Sequence, residues 1–127
     1  MQKQLKAVMQ FHEAFLINYS ENPTTNIGDS KIKLRFDLMK EENEEYLEAA
    51  NKNDLVEIAD ALGDMLYILC GTIIEHGLQH KIEGVFDEIQ KSNMSKLDEN
   101  GKPIYREDGK VLKGINYFKP NIASILK

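Results

Sequence analysis

Residues 34–71 read LRFDLMKEENEEYLEAANKNDLVEIADALGDMLYILCG, and the chain is organised around this stretch. From residue 55 to residue 74, apolar side chains surround nearly the whole of a predicted helix, which is typical of a buried helix. Glu57, Asp60 and Asp64 interrupt it at i, i+3 and i+7, so they lie on one stripe. No Lys or Arg occurs between residues 53 and 79. Ionised carboxylates in a core need compensation, and this helix cannot supply it.

The segment before it is interrupted in the same way. Five residues share one face of a predicted helix at i, i+4, i+8, i+11 and i+15: Leu34, Leu38, Glu42, Glu45 and Ala49. The two glutamates therefore interrupt the apolar seam of the helix rather than its outer face. For Glu44 and Glu48, which lie off this seam, we favour an ordinary solvated position.

A short connection at residues 51–54 predicts that the two helices pack antiparallel. This packing brings four carboxylates together: Glu42, Glu45, Glu57 and Asp60. Like charges repel strongly in a low-dielectric site, and a divalent cation is the simplest relief. An all-oxygen ligand set favours Mg²⁺ or Mn²⁺ over zinc. The alternative is a solvated Glu-rich helix in which Asp54 and Glu57 form a capping box. Periodicity alone does not separate these two interpretations.

The acidic motif resembles a known signature. The run EENEE at 41–45, followed by Glu57-x-x-Asp60, is similar to the EExxE…ExxD signature of the all-α nucleoside triphosphate pyrophosphohydrolases. That group includes MazG-like, dimeric dUTPase-like and phosphoribosyl-ATP pyrophosphohydrolase-like proteins. The runs FHEAF at 11–15, EIADALGD at 57–64 and SNMSK at 92–96 add to the resemblance, which covers roughly the first 100 residues.

The resemblance implies an all-α fold and a hydrolytic activity. The expected fold is a four-helix bundle of MazG-like type in a single domain over residues 1–127. The helical core covers about 1–97, and a hairpin-like tail covers about 98–127. The expected reaction is Mg²⁺-dependent hydrolysis of a nucleoside triphosphate at the α–β bond, giving a monophosphate and pyrophosphate.

The resemblance also assigns roles to individual residues. It implies four metal ligands: Glu42, Glu45, Glu57 and Asp60. Glu41 falls on the leading Glu of the motif, whose expected role is to orient or deprotonate the attacking water. Lys96 is the expected phosphate contact, while Asn93 and Asp64 are the candidates for the nucleoside. His12 has two interpretations, a satisfied histidine at the edge of the core or a weaker candidate for a substrate contact.

Length and composition limit the function further. The chain has 127 residues, 42% hydrophobic and 29% charged, which suits one globular domain. The net charge of −5 argues against a nucleic-acid polymer as partner. The lone Cys70 is expected to be a small core residue. Neither a signal peptide nor a run long enough to span a bilayer is apparent, so we expect a cytoplasmic protein without a membrane partner. A short bundle around an apolar helix predicts a homo-oligomer, and the resemblance implies a homodimer or homotetramer.

The flanking segments predict further elements. Helices are expected at about 2–19 and about 81–91, the second with Phe86 and Ile89 facing inward, and a helical turn at 121–126. Asp108-Gly109 signals a hairpin, and the basic residues around it predict either a solvated hairpin or a flap over phosphates. Gly63 and Gly71 inside the apolar helix suggest close approach by a neighbouring helix.

Two other classes of protein stay open, a di-iron carboxylate bundle and a non-catalytic helical interaction protein. No histidine has a Glu three positions before it, which disfavours the first.

Overall fold

The computed structural model describes residues 1–127 and consists of helices joined by loops. The helices are α1 (Gln2–Ala14), α2 (Asp29–Asn51), α3 (Leu55–Glu75), α4 (Ile82–Met94) and α5 (Ile122–Leu126). The predicted all-α class is confirmed, since strand pairing is limited to one isolated bridge between Tyr105 and Val111. None of the helices combines the length and the apolar character that crossing a membrane requires.

The chain divides into two compact units, Met1–His80 and Lys81–Lys127. The first unit holds α1, α2 and α3, with α3 packed against both other helices. The second holds α4, the tail and α5, and α5 packs on α4. The four long helices and the terminal helical turn are those that the sequence predicts. The single domain over residues 1–127 stays a prediction.

The α2–α3 hairpin is antiparallel, as predicted. At its closed end the Asp54 N–H donates to the Ala49 carbonyl at 3.0 Å, and the Asp54 side chain caps α3 by accepting from the Glu57 N–H at 3.2 Å. At its open end the Lys31 ammonium lies 3.0 Å from the Glu75 carboxylate. These contacts fix the register in which the acidic residues of the two helices face each other.

The prediction that α3 is buried along its whole length is wrong for the isolated chain. Only its last turns, at residues 70–75, are mostly buried, and Cys70 and Ile74 there pack with Leu5 and Val8 of α1 in the core. At its start, by contrast, Leu55 and Val56 are each 76% exposed. The reason is length, because α1 has 13 residues and α3 has 21. At 1.5 Å per residue, α1 cannot cover all of α3.

The loop between α1 and α2 is attached to the end of α3. Helix α1 ends at Ala14, earlier than predicted, in a Schellman motif with Leu16 in the left-handed conformation at φ 58°. The loop then donates from Ser20 to the Ile74 carbonyl and from Thr24 to the His76 carbonyl. This attachment fixes the middle of the loop on the first unit.

Two expectations about helix contacts are also wrong within the chain. A Cβ on Gly63 would meet no atom within 4 Å, so no helix approaches that position. In the second unit, α4 continues to Met94, and Phe86 and Ile89 are exposed, at 65% and 40%, rather than inward. The tail packs along the opposite face of α4, so nothing within this unit covers these two side chains.

Candidate active site

The Glu42 carboxyl group lies among other acids on the α2–α3 hairpin. Its Oε2 atom is buried and has no hydrogen-bond partner. Burial raises the pKa of Glu42 to about 7, helped by a hydrogen bond with Glu45 and by the charges of Glu45, Asp64 and Glu41. A hydrogen bond between two carboxyl groups requires a proton on one of them. The structure therefore brings Glu42, Glu45 and Asp64 together.

An open cavity of about 430 Å³ lies toward the closed end of the hairpin. Its lining is Glu45, Glu48, Ala49, Lys52, Asp54 and Glu57. Predicted metal ligands from both helices, Glu45 and Glu57, thus face one cavity. Glu48 is exposed and paired with Lys52 at 2.8 Å, as the solvated interpretation predicts. Glu44 is likewise exposed and paired with Lys40 at 3.2 Å.

The remaining two acids of the motif are exposed. Glu41 lies on the outer side of α2 next to Glu42, and Asp60 lies on α3. No hydrogen bond or ion pair links Asp60 to the other predicted ligands. Asp64, which the sequence assigned to the nucleoside, is the α3 acid whose charge acts on Glu42.

The donor set fits a hard cation by its chemistry. The acids provide only oxygen atoms, and the Glu42 oxygen that lacks a partner lies beside like charges with no cation among them. The side chains are not gathered into a finished site, since no group of three or more His, Cys, Asp or Glu is arranged to hold a metal ion. To bind a cation together with Glu42, the side chains of Glu45, Glu57 and Asp60 would have to rotate toward it.

A second cluster of charges lies at the other end of the hairpin, and here the signs are mixed. Glu75 is almost completely buried, and three side-chain nitrogens surround its carboxylate: His12 Nε2 at 3.0 Å, Lys31 Nζ at 3.0 Å and Arg35 Nη1 at 2.9 Å. The other ring nitrogen of His12 lies 3.0 Å from the Val8 carbonyl oxygen. Both ring nitrogens thus face acceptors, and His12 is only 2% exposed. These contacts favour the satisfied core histidine over the substrate contact.

Gly71 makes room for this second cluster. A Cβ there would collide with the Arg35 guanidinium and lie 3.3 Å from His12 Cε1. The space lets Arg35 reach over α3, donating to the Ile68 carbonyl at 2.7 Å and to the Thr72 hydroxyl at 3.0 Å. The close approach expected at Gly71 therefore comes from side chains and not from a helix backbone.

The second cluster was not predicted from the sequence, although two signals point to it. Lys31 and Arg35 share the buried face of α2 with Glu42 at i, i+4 and i+11. Glu75 also follows directly after an apolar run, where a charge needs a partner. Helix α3 carries no Lys or Arg of its own, and the partners of Glu75 come from α1 and α2.

The two candidates from the SNMSK run lie in the second unit. Asn93 is exposed on the last turn of α4, and Lys96 is half-buried just beyond the helix end. The Lys96 ammonium makes no hydrogen bond or ion pair with the protein. It is thus available to an anionic ligand.

An all-helical chain with an acidic helix hairpin of this kind falls in the class of all-α nucleoside triphosphate pyrophosphohydrolase-like proteins. The family model for phosphoribosyl-ATP pyrophosphohydrolase matches residues 8–93. The chain belongs to this family. The matched residues include the whole α2–α3 hairpin and both clusters of charge.

Two individual proteins are similar to this chain. The uncharacterized protein L479 of Acanthamoeba polyphaga mimivirus is 39% identical over 82 residues, which are 65% of this chain and 30% of that protein. The chain thus spans less than a third of that relative. A candidate NTP pyrophosphohydrolase of Exiguobacterium sp. 255-15 has a similar structure, with a TM-score of 0.54 and 23% identity over 97% of this chain and 93% of that one. This likeness shows a shared fold.

Proposed function

We propose that the protein hydrolyses a nucleoside triphosphate at the α–β bond, in a Mg²⁺-dependent reaction that yields a nucleoside monophosphate and pyrophosphate. Membership of the phosphoribosyl-ATP pyrophosphohydrolase family supports a hydrolase that acts on acid anhydrides. The observation that carries the proposal is the buried Glu42 oxygen, which has no partner and lies among acids within the matched residues.

In the proposed mechanism, four residues would hold Mg²⁺ or Mn²⁺: Glu42, Glu45, Glu57 and Asp60. When bound, the ion neutralises phosphate oxygens and orients the reacting groups. Glu41, which is exposed beside Glu42, would accept a proton from the water that attacks the α-phosphorus. Lys96 contacts the phosphates, and Asn93 with Asp64 contacts the nucleoside. His12 is left out because both of its ring nitrogens are already engaged.

The first test is Glu57→Gln. The Glu57 backbone N–H, and not its side chain, takes part in the α3 cap, so the variant should fold normally. We expect activity to fall by about 100-fold or more, because a metal ligand loses its charge. Glu48→Gln is the matched control, since Glu48 lines the same cavity but is paired with Lys52. Near-normal activity of Glu57→Gln would contradict the metal site.

A panel of nucleotides would identify the substrate, and isotope labelling would identify the bond that is broken. Canonical ribonucleoside and deoxynucleoside triphosphates should be tested, together with phosphoribosyl-ATP, for which the family is named. In ¹⁸O-labelled water the label should enter the monophosphate, because water attacks the α-phosphorus. Orthophosphate and a diphosphate as first products would rule out the proposed reaction. The cytoplasmic location also stays a prediction.

We further propose that the active form is a homodimer or homotetramer. The proposal is supported by the exposed apolar side chains at the start of α3, where Leu55 and Val56 have no cover within the chain. Exposed apolar surface of this kind is typical of a protein–protein interface.

A further inference from the structure

Two serines of the SNMSK run hold the backbone of the tail. Ser92 is buried, and its hydroxyl donates to the Phe118 carbonyl oxygen at 2.8 Å. The Phe118 N–H donates to Ser95 Oγ at 3.1 Å, and that hydroxyl donates to the Ser92 carbonyl at 2.6 Å. Both backbone groups of Phe118 are thus engaged by the end of α4. The tail cannot slide along α4 without leaving them unpaired.

A glycine of the tail contacts the peptide that carries Lys96. The Gly114 N–H donates to the Lys96 carbonyl at 2.9 Å, and the Lys96 N–H donates to the Asn93 carbonyl at 3.2 Å. A Cβ on Gly114 would lie 2.9 Å from the Lys96 carbonyl oxygen and would collide with that of Leu97. The backbone of Lys96 is therefore held on one side by α4 and on the other by the tail.

The Lys96 ammonium has no protein partner, unlike the charged groups of Arg106 and Lys113 in the tail. Arg106 is paired with Asp108, and the Lys113 ammonium lies 4.7 Å from the centre of the Tyr117 ring. Lys96 has a fixed backbone and an ammonium without a protein partner. Fixing the backbone reduces the entropy that the side chain loses when it binds an anion.

We propose that Gly114, Ser92 and Ser95 are positioning residues for Lys96. Through them the tail fixes the peptide of Lys96 so that its ammonium meets the phosphate chain of the substrate. The tail then contributes to phosphate binding through backbone contacts, without covering the phosphates itself. This inference rests on the proposed function for the nature of the anion.

A double-mutant cycle between Gly114→Ala and Lys96→Ala tests the proposal. Gly114 does not have a positive φ, so the substitution acts through the collision alone. With the best triphosphate at saturating Mg²⁺, we expect Gly114→Ala to lower kcat/KM by about 10-fold or more. In the Lys96→Ala background it should cause less than about a twofold further loss. If the two losses in kcat/KM multiply in the double variant, the proposal is overturned, because Gly114 then acts independently of Lys96.

The serines provide a second test that does not depend on Gly114→Ala folding. Ser95→Ala removes both bonds of the hydroxyl, whereas Ser95→Thr keeps an oxygen at the same position. We expect Ser95→Ala to reduce kcat/KM about 5-fold and Ser95→Thr to restore most of it. Ser124→Ala in α5 is the control, since its hydroxyl bonds only to Asn121. Equal losses for the two Ser95 variants, or a loss for the control, would contradict the assignment.

Calorimetric titration with inorganic pyrophosphate separates this inference from the proposed function. Binding should weaken in Lys96→Ala and in Gly114→Ala, and the double variant should bind no worse than Lys96→Ala. If the wild-type protein hydrolyses no triphosphate, the proposed function fails, and the titration still decides the role of the tail. Unchanged pyrophosphate binding in Gly114→Ala would overturn the inference.

Discussion

At the residue scale, Glu42 couples stability to pH. The pKa of Glu42 is raised from 4.5 to about 7, chiefly by burial. Between these values the folded protein keeps a proton that the unfolded chain has lost. The stabilisation is therefore complete below 4.5 and is lost as the pH rises through 7.

We therefore expect metal-free protein to melt roughly 5 °C lower at pH 8 than at pH 5 on account of this group. Thermal melts in EDTA measure the difference, and Glu42→Gln should remove most of it. Mg²⁺ at pH 8 should raise the melting temperature by linkage. A Glu42→Gln variant with the same pH profile as the wild type would show that another group is responsible. Glu48→Gln is the control, because the neighbouring Lys52 lowers the pKa of Glu48.

The buried Glu75 carboxylate provides a second prediction at this scale. Glu75→Ala leaves Lys31 and Arg35 without their common counter-charge, and the Arg35 side chain is only 12% exposed. We expect a loss of about 3–5 kcal/mol in the free energy of unfolding, measured by urea denaturation. Asp37→Ala, which breaks an exposed pair with Lys33, should cost less than about 0.5 kcal/mol. Similar losses for both variants would contradict a special role for the cluster.

At the element scale, three helices end in the same motif with different residues. Helices α1, α2 and α3 all end in Schellman motifs, and the left-handed position is held by Leu16, Asn53 and Gly77 at φ 58°, 56° and 68°. A Cβ on Gly77 would also collide with the Asn22 carbonyl, whereas Leu16 is 90% exposed. Substitutions at Leu16 and Gly77 should therefore change the free energy of unfolding in opposite directions.

Gly77→Ala should lower the free energy of unfolding by about 2–4 kcal/mol, because strain and the collision add. Leu16→Gly should raise it by about 1 kcal/mol, because it relieves a left-handed non-glycine residue at little loss of buried surface. Urea denaturation measures both. If Gly77→Ala leaves the free energy of unfolding unchanged, the loop at Asn22 must move away without loss of stability, which would contradict the prediction.

At the scale of the whole molecule, the exposed start of α3 is the expected subunit interface of the proposed assembly. We expect the wild-type protein to have the mass of a dimer or tetramer by light scattering at micromolar concentration. Replacing Leu55 and Val56 together by Lys should shift it to a smaller species, because two charges enter the apolar interface. Ile115→Lys is the control, as Ile115 is 81% exposed but lies in the tail. A wild-type monomer would refute the proposed assembly.

Much of the fold could be predicted from local signals. The Asp54 cap, the short connection before it and the apolar periodicity place α2 and α3 within one or two residues of their observed ends. The Asp108-Gly109 signal places the turn of the tail, where Gly109 has φ 89°. The early end of α1 was missed because its stop residue is Leu16, and leucine is not a typical residue for the left-handed position.

The sequence by itself determined the helices, the acidic motif and the family, because these depend on residue type and spacing along one chain. Only the tertiary structure decided which groups meet. It placed Asp64 with Glu42, gave Glu75 its partners from two other helices, and engaged both nitrogens of His12. These pairings join residues far apart in sequence, so they depend on the register and facing of packed helices. Helical periodicity defines the face of each helix but leaves open which partner that face meets.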